Sequence, residues 1–430
     1  MLTKKNISFY MVLLFGLHAR SQTNISGTIN TNTIWTKLNS PYIVTANTVL
    51  LPNVVLDIQP GVEVRFNSNV QLMIRGILTG KGNKNDSIKF VANNGVVQWN
   101  GVFVDNSSYN AKVSFKYFLG SNAYSLFKVA SVGSNDTLMK FLNCSFNYNH
   151  SVFEEYDGVK THMVYVDSCL FANTSYYCNI GASNNIIKNS KFTGNSYRAL
   201  YNNTTQNTVI DNCEFTGFSD AALLVNGIIT NSKFHNNYIA VATMSDNSPV
   251  ITGNSFYDNN IGIHAWNYFG VNPSTQINYN EFCNNTYAIK KVYSVDTSVP
   301  NNCWCTTDNS QIDATIYDFF DAPSLGIVNY LPKSSGCPIP ASVNEIDFSD
   351  RINVFPNPTK NGIYIGFKQL NFNDVDIELI NPIGEFLTPN FSELVADDNL
   401  FLNMTSLASG IYYLQIAVGN KKIMKKVVKL

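Results

Sequence analysis

A six-residue pattern of apolar and polar positions, Ile-x-Asn-small-x-Phe, recurs through the middle of the chain. It ends at Phe192, Phe215, Phe234 and Phe256, with looser copies ending at Phe146, Phe171 and Phe282. Successive phenylalanines lie 19 to 26 residues apart. Each unit carries glycine, asparagine and β-branched residues throughout, which argues against a helical repeat. A unit of this size holding two or three short strands cannot bury its apolar side alone. Stacked units can, so each repeat is predicted to be one coil of a parallel β-solenoid.

Aligning the copies on the phenylalanine gives the neighbouring columns roles. Strand alternation points the phenylalanine inward, together with the residue two before it: Cys144, Cys169, Ser190, Cys213, Ser232, Asn254 or Asn280. Three before it is often asparagine (Asn143, Asn189, Asn212, Asn231), which suits a tight left-handed bend. Three after it come Asn149, Asn195, Asn237, Asn259 and Asn285. Stacked amides there can bond from coil to coil and satisfy turn backbone groups. Outside these columns, Asp167, Lys188 and Asp211 succeed one another four before the phenylalanine. Lys191, Glu214 and Lys233 do so one before it. Both sets face outward and read as ladders of alternating charge.

Composition supports this all-β picture. The chain of 430 residues contains 60 Asn, 28 Phe and 23 Tyr, and charged residues make up only 14%. The net charge of −1 excludes a strongly basic nucleic-acid binder and an acidic disordered chain. Lys4 and Lys5, an apolar run from Ile7 to Leu17, and Ala19-Arg20-Ser21 read as a signal peptide cleaved after Ser21. The first cysteine is Cys144, which argues against a lipoprotein, and no later stretch is long and apolar enough to be a membrane span.

The repeat columns resemble those of right-handed parallel β-helix proteins, the pectate-lyase-like superfamily. Val54–Phe66 and Trp99-Asn100-Gly101-Val102 are similar to that family's first coils. Asn301-Asn302-Cys303-Trp304, Ile316–Asp321 and Leu325-Gly326 resemble its closing coil and short capping helix, with Cys305 where glycine is usual. The likeness implies an all-β chain: a right-handed parallel β-helix followed by a small C-terminal β-sandwich. It does not imply an activity, because this fold hosts lyases, hydrolases, epimerases and many non-enzymes.

The sandwich is read from the other end. Pro338-Ile339-Pro340 opens a linker, after which short alternating strands follow in quick succession. Val354-Phe355-Pro356-Asn357-Pro358, the strand Gly410–Ile416 and a last strand with five lysines in ten residues resemble the type A C-terminal sorting domain of type IX secretion. That resemblance implies a partner, the type IX machinery, and delivery to the outer-membrane surface or the medium. The lysines also protect an edge strand from aggregation. The expected organisation is a signal peptide over 1–21 and a β-helix over 22–337 with its cap near 301–335. A linker over 338–350 and the sorting domain over 351–430 complete it.

Chemistry is sparse. The β-helix holds only Arg65, Arg75 and Arg198, its histidines form no motif, and the single Asp-Asp pair, Asp397-Asp398, lies in the sorting domain. Lyases of this fold need clustered acids for Ca²⁺ and a base, and hydrolases need paired carboxylates. Arg198 with Asp211 and Asp220 is the residual catalytic candidate. Trp266, Tyr268 and Phe269 form a candidate aromatic loop for a glycan, with Tyr176-Tyr177 a weaker one. The expected function is a non-enzymatic adhesin or glycan-binding scaffold; a polysaccharide lyase or glycoside hydrolase with a divergent site is the alternative. No cofactor and no metal is expected. Cys283, Cys303, Cys305 and Cys337 crowd the cap, and stacking predicts that Cys283 pairs with Cys303 or Cys305 while Cys337 takes the other. Zinc is the rival reading, but no histidine is nearby and Cys-x-Cys is tight for one metal. Deleting the chain from Arg351 is expected to trap a folded β-helix in the periplasm; surface delivery of the truncated chain, seen by fractionation, would sink the sorting assignment.

Overall fold

Each coil is built around a three-residue strand whose middle residue is the phenylalanine. In Glu214-Phe215-Thr216 the alternation buries Phe215 and leaves its neighbours half-exposed. Five residues separate two backbone corners on either side, both in the left-handed region. The first corner is three before the phenylalanine: Asn143, Ser168, Asn189, Asn212, Asn231, Gly253 and Tyr279, with φ between 49° and 69°. The second is two after it: Tyr148, Asn173, Gly217, Asn236, Asp258 and Asn284. Asparagine and glycine predominate because they reach this region at least cost.

These corners fold the chain into three parallel faces, seen in a computed structural model that describes residues 22–131, 137–155, 163–176, 185–194, 197–201, 208–224, 227–243, 249–265, 276–334, 337, 352–367, 375–381, 386–387, 391–394, 399–418 and 421–430. The first face carries the phenylalanines and runs from Glu63–Phe66 to Glu281–Cys283. The second is eleven-stranded, from Thr33–Trp35 to Gln276–Asn278. The third has two runs. One passes from Gln71–Ile74 to Ser151–Glu155, and the other from Leu200–Tyr201 to Ile316–Tyr317. Near the start, Tyr42–Leu50 serves two faces at once. Its first half pairs with Val64–Phe66 and its second with Leu72–Ile74.

Inside, each face contributes one apolar column, as in the coil of Ile210, Phe215 and Leu223, all fully buried. The phenylalanine rings stack in parallel. Phe171, Phe192, Phe215, Phe234, Phe256, Phe282 and Trp304 follow one another at 4.3 to 5.1 Å. Such pairs add about 0.5–1.5 kcal/mol each beyond burial. Ladder register makes this possible, because Phe192, Phe215, Phe234 and Phe256 are directly paired.

The small polar column beside them has a specific task. A left-handed corner turns the next residue's N–H inward, away from the sheet. The same column one coil on supplies its acceptor. Cys213 N–H donates to Ser232 Oγ at 3.0 Å, Ser232 N–H to Asn254 Oδ1 at 2.9 Å, Asn254 N–H to Asn280 Oδ1 at 3.0 Å, and Asn280 N–H to Asn302 Oδ1 at 2.8 Å. The second corner repeats the device. Phe218 N–H donates to Asn237 Oδ1, Asn237 N–H to Asn259 Oδ1, and Asn259 N–H to Asn285 Oδ1, at 3.0 to 3.2 Å. Cys144, Cys169 and Cys213 are buried free thiols in the first column. Burial pushes the Cys213 thiol up to about 12, so it stays protonated and inert.

The cap closes the coil with the short helix Asn309–Asp313, N-capped by Asp308, whose buried Ile312 joins the core. Cys283 is joined to Cys305 with Cα atoms 5.3 Å apart, and Cys303 to Cys337 at 4.8 Å. After the linker come two four-stranded antiparallel sheets. Ile363, Ile365 and Leu402 from one and Leu379, Leu414 and Ile416 from the other form a separate core.

The corner bonds predict an asymmetric substitution pattern. Asn254→Ser keeps an acceptor for Ser232 N–H, whereas Asn254→Val leaves that N–H unpaired and removes a second donor from the Ile229 carbonyl. Each orphaned buried group costs about 1–3 kcal/mol. Urea unfolding is therefore expected to show a clearly larger loss for valine than for serine; equal losses would show that the bonds do not matter.

Candidate functional site

The first-face ladder falls where the columns predict. Glu214 is paired with Lys191 on one side and Lys233 on the other. Lys191 Nζ lies 2.8 Å from Glu214 Oε1, and His235 Nε2 donates to the same oxygen at 3.1 Å. Partial burial raises the Glu214 carboxyl, but these two bonds outweigh it and hold it below its ordinary value. The second ladder has the expected register, with Lys188 between Asp167 and Asp211. Its carboxylates, however, are taken up by neighbouring turn residues. Asp211 accepts from Thr230 Oγ1 and Asn231 Nδ2, and Asp167 from Ser168 Oγ and Asn189 Nδ2. Short amides and hydroxyls at the corners reach these carboxylates without ordering a long side chain.

Of the three catalytic candidates the fold brings two together. Arg198 and Asp220 sit on adjacent coils, with Nε and Nη2 each 2.6 Å from Oδ2. Asp211 is on the second face, engaged as above. Two shallow, open concave regions lie among the described residues. One, of about 400 Å³, follows the first corner past Asn143, Ser168 and Asn189 and is lined by no carboxylate. The other, of about 510 Å³, lies at the cap, where Asp296 is the one lining acid and accepts from Ile327 N–H. Buried Lys291 is pushed down to about 8 by its burial, yet it bonds Thr297 Oγ1 and the Val295 carbonyl and lies over the Tyr293 ring. It clamps the cap. Trp266, Tyr268 and Phe269 lie outside the described residues, as does Tyr177.

The arrangement that the columns did not reveal is an aromatic row at the second corner, where the chain passes to the third face. On successive coils it holds Tyr124, His150, Tyr176, Tyr197 and, after Asp220, Tyr238. Backbone bonds fix this order: Ser151 N–H to Tyr124 O, Tyr176 N–H to His150 O, Arg198 N–H to Tyr176 O, Asp220 N–H to Tyr197 O, and Ile239 N–H to Asp220 O. Tyr124 and His150 stack at 4.6 Å and 7°, and His150 and Tyr176 at 5.2 Å and 24°. Arg198 lies over the rings of Tyr197 and Tyr201 at 4.5 and 5.3 Å. The four tyrosines are 43 to 54% exposed, far more than a ring that packs on its own coil. A strict alignment column splits the row, since its members fall either four or five residues after a phenylalanine: Phe146 to His150, Phe171 to Tyr176, Phe192 to Tyr197, Phe215 to Asp220 and Phe234 to Tyr238.

Residues 128–271 and 179–315 match the family described as right handed beta helix region, and residues 353–430 match the secretion system C-terminal sorting domain. The chain is a right-handed β-helix protein with a type IX secretion sorting domain at its C-terminus. That domain marks it for export to the cell surface or the medium. Among solved structures it is similar to a tailspike protein of Escherichia coli bacteriophage HK620 in complex with a pentasaccharide. The identity is 13% over 94% of this chain and 85% of that one, with a TM-score of 0.35. At that score the likeness says nothing about a ligand. A search of curated proteins returns no match. No helix among the described residues is long and apolar enough to cross a membrane.

The charge ladder yields its own test. Glu214→Lys sets three lysine side chains in a row and removes the acceptor for His235. A loss of about 1 kcal/mol is expected, shrinking in high salt. Because the Glu214 carboxyl is held below its ordinary value, its contribution is present above that value and fades as the pH falls through the lowered one. A pH- and salt-independent loss in urea titrations would show that packing, not charge, is responsible.

Proposed function

We propose that this protein is a non-enzymatic adhesin or scaffold that holds a glycan at the cell surface, bound along the aromatic corner. The observation that carries the reading is the row itself. Exposed rings stand at coil spacing on a rigid backbone, and Arg198 and Asp220 beside them offer a donor and an acceptor to hydroxyl groups. A hydrolytic or eliminative site needs more. Arg198 has one carboxylate at hand, and neither concave region described above is lined by a carboxylate pair. The N-terminal leader and the sorting domain would act in sequence to bring the β-helix to the surface, where a polysaccharide ligand would be met.

A glycan array probed with the purified chain tests this, together with an assay for unsaturated or reducing-end products on every glycan that binds. Retention without product formation is the expected outcome, weakened at least tenfold by a double change of Tyr176→Ala and Tyr238→Ala. Product formation would favour the enzyme reading, with Arg198 and Asp220 the first residues to replace. Absence of binding to any glycan would refute the proposal.

A further inference from the structure

The row also defines the direction and the charge class of what it binds, and this step rests on the glycan reading above. Coils advance about 4.8 Å each, so the five steps from Tyr124 to Tyr238 span about 24 Å along the helix axis. Each step presents a ring or an Arg–Asp element at nearly the same angular position, because ladder register holds the corner fixed. That advance is close to the length of one sugar ring in an extended, equatorially linked chain. His150 is stacked between Tyr124 and Tyr176, so its two faces are covered, while the tyrosines stay half-exposed. One polar element, Arg198 with Asp220, interrupts the line of rings.

Charge narrows the class further. Among the described residues, the cations at this corner and on the third-face strands of the row's own coils are paired, and Lys290, two coils beyond Tyr238, lies over the Tyr287 and Tyr317 rings. Arg198 is bound to Asp220, Arg75 to Asp105 at 3.0 Å, and Lys128 to Glu154 at 3.5 Å. A polyuronate or sulfated chain brings one negative charge with most sugars and would need unpaired cations at matching intervals. A neutral chain has no such need. Its hydroxyls can use the free valences of Asp220 and Arg198 without separating the pair.

We infer that the row binds a neutral, extended polysaccharide lying parallel to the helix axis and covering about five coils. Two properties follow. Affinity grows with oligosaccharide length until about five sugars are reached, then levels off. It also changes less than twofold when salt rises, because no counterions are released. The tested protein is the full chain, titrated calorimetrically with a length series of neutral β-linked oligosaccharides and, separately, with oligouronates. Tyr124→Ala, at the far end of the row, is expected to shorten the length at which affinity levels off while leaving binding of the shortest ligand unchanged. A ligand that binds equally at every length, or an oligouronate preferred and lost in salt, overturns this inference and leaves the glycan reading standing. Failure of every oligosaccharide, neutral and charged, overturns both. Circular dichroism of each variant separates a lost contact from a lost fold, and Tyr124→Phe, which keeps the ring, should retain the wild-type length dependence.

Discussion

Everything regular in this molecule follows from a single backbone amide. A left-handed corner directs the following N–H into the interior, where it has no strand partner and no water. Only the next coil can supply the acceptor, and only from the same column. That requirement fixes parallel stacking, coil register and the choice of Cys, Ser or Asn beside each phenylalanine. It also gives the ladder a direction, since each coil is satisfied by the one after it. The last acceptor in the first column, Asn302, belongs to the cap and is held by its own bonds to the Ile277 and Val299 carbonyls. Capping is thus a hydrogen-bonding necessity as much as a matter of covering apolar surface.

The sequence is legible wherever a column has one narrow chemical requirement. Phenylalanine inward is the strictest of these, while asparagine recurs at the first corner and amides recur three residues after the phenylalanine often enough to be seen. The second left-handed corner was less legible, because Tyr148, Gly217 and Asp258 share it with Asn173, Asn236 and Asn284. The charge ladders were half legible. Register follows from alignment, and Lys191–Glu214 obeys it, but alignment does not show that a corner asparagine lies closer to Asp211 than Lys188 does. Of the acids considered with Arg198, Asp220 joins it and Asp211 does not. The coil sends Asp211 to a different face, since a dozen residues in this fold are more than a corner apart.

The candidate site was legible only in pieces, as Arg198 with Asp220 and as Tyr176, for a related reason. Its members sit four residues after a phenylalanine in some coils and five in others, so a strict column splits them. In space they rejoin, because the extra residue is absorbed within the second corner. A tyrosine at such a place packs only against its neighbours in the row and not into the core. Phe146 and Phe171 are closed off from solvent while Tyr176, a few residues on, is not. Exposure of large rings, repeated coil after coil at one corner, is the feature that burial of an apolar core cannot account for.

Where the coil varies in length also matters for what a surface ligand can meet. Between the second-face strand and the third-face strand, the corners and the phenylalanine keep fixed offsets through seven coils. Differences in interval, from 19 residues between Phe215 and Phe234 to 26 between Phe256 and Phe282, are taken up mainly after the third-face strand. Insertions on that edge leave both hydrogen-bond ladders untouched, so they carry little energetic penalty. The aromatic row lies at the other end of the third-face strands, beside the second corner, where the offset varies by a single residue. Its spacing is therefore set by the same amide bonds that hold the coils in register, and a change that weakens those bonds would disorder the row before it touched a single tyrosine.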